Sequence, residues 1–325
     1  MRNFLRIFAL IYYGIFLCAD VSAQTKSFTF VALGDLPYGD TLRVERKYQK
    51  LIASINAMSP AFSIHVGDFK TGSSECSDAE FNKQFDHFNR FQNALIYTPG
   101  DNDWTDCHRF PGAFDNPLER LKALRKRFFS EQDSLGKMSI PLDRQSVLMA
   151  KFADYPENQR WIQNRVLFVT LHIVGSNNNY DQKMNNTGQH AEFFARDEAN
   201  IAWIHSAFEL AKSAQLDALV FVFQGDVFIE KGSTDLFPVT SGFRTSVGEN
   251  LLTLAAKSDK PILIIHGDSH TFKFDQPFFI AKQKINNLTR LEVPGAHDVR
   301  AVLVTVDVKS ASPFIVKLIG NEQDD

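Results

Sequence analysis

The chain has 325 residues, 35 Lys and Arg against 38 Asp and Glu for a formal charge of −3, and 44% hydrophobic content. That balance excludes a general nucleic-acid-binding surface, which needs clustered positive charge. The length suits one large core, and the 30 Phe point to aromatic packing rather than a cofactor motif.

In chain order, Arg2 and Arg6 flank the start of an apolar run, Ile7–Leu17, and Val21-Ser22-Ala23 is a small-x-small cleavage signal. The run is shorter than the roughly 20 residues a spanning helix needs, so residues 1–23 are expected to be a cleaved signal peptide. Residues 24–325 then form the mature chain, expected to be exported to a periplasm or medium without a stable membrane anchor. Cleavage removes Cys18 and leaves Cys76 and Cys107, an isolated pair expected to form a disulfide in an oxidising compartment.

From residue 28 the pattern alternates. A strand over 28–33 precedes a helix over about 41–58, where Leu42, Tyr48, Leu51, Ile52 and Ile55 form a stripe. A strand over 62–66 precedes a helix near 78–92 with Phe81, Phe85, Phe88 and Phe91 at helical spacing, then a strand over 94–98. Such alternation implies parallel neighbours joined by right-handed crossovers. Residues 104–165 break the rhythm with a basic helix at Leu118–Phe129 and read as a cap-like insertion. It resumes with a strand over 166–175, a helix over 190–213, a strand over 218–223, a helix near 247–257 and a strand over 262–266. Short strands at Phe278–Ala281, Leu288–Val293, Val299–Val308 and Phe314–Leu318 are expected to complete a second sheet as an antiparallel run. Asn185 and Asn287 match glycosylation acceptors.

The strand ends carry the chemistry. Six Gly-Asp pairs occur where 17 Gly and 25 Asp give roughly one by chance, and five close an apolar run. They end at Asp35, Asp68, Asp101, Asp226 and Asp268. Carboxylates gathered at one sheet edge repel one another, so a cation should hold them. Ligands in parallel sheets bind beyond these C-terminal ends.

Gly34-Asp35, Gly67-Asp68, Gly100-Asp101-Asn102-Asp103, the later strand-end Gln224 and Gly267-Asp268-Ser269-His270 resemble, in order, the calcineurin-like metallophosphoesterase series. That family carries Asp-x-His, Gly-Asp, Gly-Asn-His-(Asp/Glu), a lone His and Gly-His-x-His. The resemblance spans about residues 28–272 and implies an α/β fold, an αββα sandwich of two mixed sheets flanked by helices. It also implies an exported phosphoesterase that hydrolyses small phosphomonoesters or phosphodiesters through a metal-activated water at a two-metal site. Asp35, Asp68, Asp101, Gln224, Asp268 and His270 stand at the metal-ligand positions.

Several family histidines are replaced. Pro37 stands where Asp-x-His has its imidazole, although Tyr38 is near, and Asn102 stands where the family has the His beside the leaving group. The oxygen-rich set favours two Mn²⁺ or Mg²⁺ ions over Zn²⁺ or iron. Asn102 cannot act as an acid, so His108 is a candidate proton donor, with an exposed loop histidine as the alternative. Tyr38, Arg109 and Asn178 are candidate substrate contacts, Arg109 as a two-point phosphate clamp. Asp103 is a candidate orienting partner for Asn102. His266 is a candidate replacement ligand, whereas His65 and His172, inside strands, read as structural. A serine-esterase reading of Gly267-Asp268-Ser269 fails on the order of its blocks. The chain is expected to be a monomer, and the rival reading is a scaffold that binds metal or a phosphorylated ligand without turnover.

Overall fold

A computed structural model of the chain describes residues 26–39, 41–109, 116–180, 188–228 and 236–320. The expected signal peptide and the acceptor Asn185 lie outside them. Within the first stretch, the alternating apolar run forms strand β1 (Phe28–Leu33), which pairs in parallel with β2 (Phe62–His65), as β2 does with β3 (Ala94–Tyr97). The connecting helices follow their stripes. In α1 (Leu42–Met58), Thr41 caps the first turn by accepting from the Val44 N–H, and Tyr48, Leu51, Ile52 and Ile55 are buried. In α2 (Asp78–Phe88), Ser77 is the cap, and Phe81 and Phe88 face the sheet.

From residue 116 the irregular middle contributes elements to both layers. Helix α3 (Pro117–Phe128) buries Leu124 and Phe128 with the aromatic residues of α2 on the outer face of the first sheet. Strands β4 (Asp143–Arg144) and β5 (Gln159–Gln163) form an antiparallel edge on β6 (Val166–Thr170). The parallel run continues through β7 (Ala218–Val222) and β8 (Ile262–His266).

The C-terminal strands divide between the sheets. After β9 (Lys273–Asp275) and a small hairpin of β10 (Phe279–Ile280) and β11 (Gln283–Lys284), β12 (Leu288–Glu292) pairs in parallel with β8. Strands β13 (Ala301–Val306) and β14 (Phe314–Ile319) instead extend the first sheet, β13 antiparallel to β1. The expected antiparallel run thus completes the first sheet, because Val302, Val304 and Val306 bury their apolar face beside β1. The final orders are β14-β13-β1-β2-β3 and β4-β5-β6-β7-β8-β12-β9.

Between the sheets lies an apolar layer in which Phe30 stacks on Phe62 and meets Phe168 of the other sheet edge-on, both at 5.3 Å between ring centres. Each buried Phe contributes on the order of 2–3 kcal/mol of transfer free energy. Outside, α1, α2 and α3 cover one sheet, and the helix Gly188–Ser213 with the helical stretch Arg244–Lys257 covers the other. The result is the expected αββα sandwich. Asn287 is no free acceptor for a glycan: its amide donates to the carbonyls of Ala255, Ser258 and Lys260.

Candidate metal centre

Parallel strands from both sheets end at one edge, and the chain turns sharply there. Asp35, Asp68 and Asp268 all adopt left-handed backbone, with φ of 51°, 55° and 76°. Aspartate tolerates this region because its short carboxylate can bond to nearby backbone N–H groups. Gly67, at φ 101°, lies where the turns after β2 and β3 meet, and a Cβ there would strike the backbone of Gly100. Asp103 pins that junction from behind. Its carboxylate accepts from the N–H groups of Asp68 (3.0 Å), Phe69 (3.0 Å) and Gly100 (2.8 Å) and from the Tyr97 hydroxyl (2.8 Å). Asp103 therefore fixes the Asp68 turn, and its four donors leave it away from Asn102, contrary to the role expected of it.

In front of this junction the functional atoms converge. Asp35, Asp68 and His270 each offer a ligand atom within 4.8 Å of the others. His270 Nε2 lies 3.3 Å from Asp35 Oδ1 and 3.2 Å from the Tyr38 hydroxyl, which donates to Asp68 Oδ2 at 3.1 Å. Asn102 donates its side-chain amide to the same Asp68 oxygen at 2.8 Å and its backbone N–H to Asp68 Oδ1 at 3.0 Å. Burial, followed by the field of Asp101, pushes Asp68 well above the usual carboxylate range. The same two causes lift Asp268 to about 8, and burial also raises Asp35 despite its His270 partner. The hydrogen bond that His270 donates to the Asp35 carboxylate raises His270.

Asp101 and Gln224 sit beside this trio. Gln224 Nε2 donates to Asp68 Oδ2 (3.2 Å) and Asp101 Oδ1 (3.0 Å), while its Oε1 accepts from the Gly175 N–H at 2.5 Å. Its oxygen thus faces away from the site, so the amide does not present the lone pair expected of a ligand. Asp268 accepts from the Asp226 N–H at 2.8 Å, and Ser269 donates to Asp226. Gly175 is squeezed against Asp101 and Asp268: a Cβ there would lie 2.6 Å from Asp268 Oδ1 and 2.8 Å from Asp101 Oδ2.

At the rim, Arg109 pairs with Asp106 at 2.5 Å and donates to Ser176 Oγ at 3.2 Å, with half its side chain exposed. His108 is exposed beside it, its Nδ1 2.7 Å from the Thr105 carbonyl. Asn178 is not in the cleft. It is fully buried, donating to the Gly242 carbonyl and accepting from Arg196, because its run is wound left-handedly into the core. His266 points away as well, stacked on Phe223 with burial lowering it to about 4. His65 bonds to the Leu36 carbonyl and His172 to Glu157, as expected of structural residues.

Three participants escaped the reading of the sequence. Ser176 donates to Asp101 Oδ2 at 2.7 Å, and Asp106, lifted to about 6 by burial and Asp101, holds Arg109. Arg196 holds Asn178 and the His172 carbonyl. The triple Asn177-Asn178-Asn179 was the available signal. With Ser176 these residues have φ of 51° to 56°, a left-handed run that asparagine tolerates best.

For a divalent cation the residues fit at one position and not at a second. Asp35, Asp68, His270 and the Tyr38 phenol supply two carboxylates, an imidazole and a hard oxygen, and Asp68 is buried among other carboxylates. Between Asp68 and Asp101, an N–H donor stands where a second ion would need a lone pair.

No protein-family model matches the chain, and no curated protein sequence is similar to it. Solved structures are similar in fold. The GAP50 anchor of the Plasmodium inner membrane complex is 12% identical with a TM-score of 0.51, over 92% of this chain and 86% of that one. A purple acid phosphatase from yellow lupin (Lupinus luteus) seeds is 12% identical with a TM-score of 0.50, over 92% and 55%. A dimetal phosphatase from Danio rerio is 9% identical with a TM-score of 0.49, over 86% and 95%. At such identities the likeness is one of fold alone, the two-sheet sandwich described above.

Proposed function

We propose that the chain is a divalent-cation-dependent hydrolase of small phosphoesters that works outside the cytoplasm. The observation that carries this reading is the convergence of Asp35, Asp68 and His270 within 4.8 Å at the strand ends. These three, with Tyr38, would hold the cation. When bound, it supplies charge neutralisation on phosphoryl oxygens and acidifies water. Arg109, aimed over the site by Asp106 and Ser176, supplies a planar fork for two phosphoryl oxygens. Asn102 donates hydrogen bonds but delivers no proton, so leaving-group protonation falls to His108 at the same rim. The disulfide and the N-terminal segment support an exported chain.

The deciding experiment is Asp68→Ala. Removing the carboxylate shared by Tyr38, Asn102 and Gln224 should abolish cation uptake and lower hydrolysis of generic mono- and diesters by at least about 10³-fold, the scale of losing a charge-stabilising group. Full uptake and rate in this variant would sink the proposal. A second reading, ligand binding without turnover, draws on Asn102 and Gln224 being bonded to carboxylates; wild-type cation uptake with no hydrolysis of any ester would favour it.

A further inference from the structure

We infer that this centre holds a single divalent cation, and that the side-chain amide of Gln224 takes the place of a second. The inference rests on the metal reading above and concerns the number of ions. Its basis is the orientation of one amide, which a backbone group fixes independently. The Gly175 N–H is buried and donates to Gln224 Oε1, so an acceptor must stand there. Turning the amide over would set two N–H groups against each other at Gly175 and an oxygen against two carboxylates. Gln224 Nε2 therefore faces Asp68 and Asp101, and its two hydrogens match its two acceptors.

Asp101 is satisfied without a cation. Its Oδ1 accepts from Gln224 and from the Asn102 N–H (3.1 Å), and its Oδ2 accepts from Ser176. Hydrogen-bond donors thus do for Asp101 what a second ion would otherwise do. The contrast lies at the other end of Asp68. His270 Nε2 and the Tyr38 oxygen there meet side chains alone, Asp35 and Asn102 among them, so neither is pinned by a backbone group. Asp268 likewise has a backbone donor, its Oδ2 accepting from the Asp226 N–H at 2.8 Å.

The test counts ions on the full chain, stripped with chelator and dialysed against Mn²⁺, by elemental analysis and electron paramagnetic resonance. Wild type should take up about one ion per chain and give the spectrum of an isolated Mn²⁺. Gln224→His, which exchanges a donor for a lone pair, should raise uptake about twofold and give a spin-coupled pair. Gln224→Glu, a nearer match in shape, should do the same if the imidazole fails to fit, with circular dichroism checking the fold. Asp35→Ala should empty the site, and Asp101→Asn should leave its one ion in place. Two ions or a coupled spectrum in wild type would overturn this inference and leave the metal reading standing. No ion in wild type would overturn both.

Discussion

Cys76 and Cys107 form a disulfide between the loop after Asp68 and the short helix Thr105–Arg109, which carries Asp106 and Arg109. Replacing both by Ala removes the bridge without leaving a reactive thiol. The cysteines are 31 residues apart, and in the chain-entropy account such a loop contributes about 3.7 kcal/mol by restricting the unfolded chain. Unfolding about 300 residues at about 2.1 cal/mol/K each gives roughly 0.6 kcal/mol/K, so the midpoint should fall by about 6 °C. Both cysteines are buried, and the vacated volume adds to the loss. Thermal and urea unfolding of the double variant against wild type measure this, and intact mass after alkylation without reductant should show no label on the native wild-type chain. A midpoint unchanged within about 1 °C, or two labelled cysteines in native protein, would refute the reasoning.

Other perturbations reach different parts of the molecule. Burial opposes ionisation of Glu157, but the Arg125 and His172 partners outweigh it and hold the carboxyl near 2, below its ordinary 4.5. A depressed carboxylate stabilises fully above about pH 4.5 and loses that contribution as pH falls towards 2, so urea midpoints should drop across this window. Glu157→Gln should flatten that dependence and cost about 3–5 kcal/mol at neutral pH, and an unchanged acid limb would contradict it. Gly175→Ala should cost about 1–3 kcal/mol by crowding Asp101 and Asp268; a urea midpoint equal to wild type would speak against that crowding. Reconstitution should favour Mn²⁺ or Mg²⁺ over Zn²⁺; a best rate with Zn²⁺ in wild type would defeat the oxygen-ligand argument.

The sequence alone determined the layers and the edge at which chemistry gathers. Alternating apolar runs and helical stripes are local properties, so β1, α1, β2, α2 and β3 could be placed from residue spacing. Gly-Asp after each run was equally legible, and at Asp35, Asp68 and Asp268 the strand ends where its backbone turns left-handed. Pairing Cys76 with Cys107 followed from their being the two cysteines left after the expected cleavage.

Tertiary structure decided what depends on groups distant in sequence. Strands β13 and β14 carry the same alternation whichever sheet they join, and burial beside β1 settles the choice. Gln224 looks like a ligand by position; the Gly175 N–H, 49 residues earlier, turns its oxygen away. Asn178 sits in a polar triplet that reads as a cleft lining, yet Arg196 and Gly242 draw it into the core. Ser176 meets Asp101 across 75 residues, a contact with no local signature. A hydrogen bond is directional and short, so which atom of a side chain faces a site is fixed only when the fold delivers its partner.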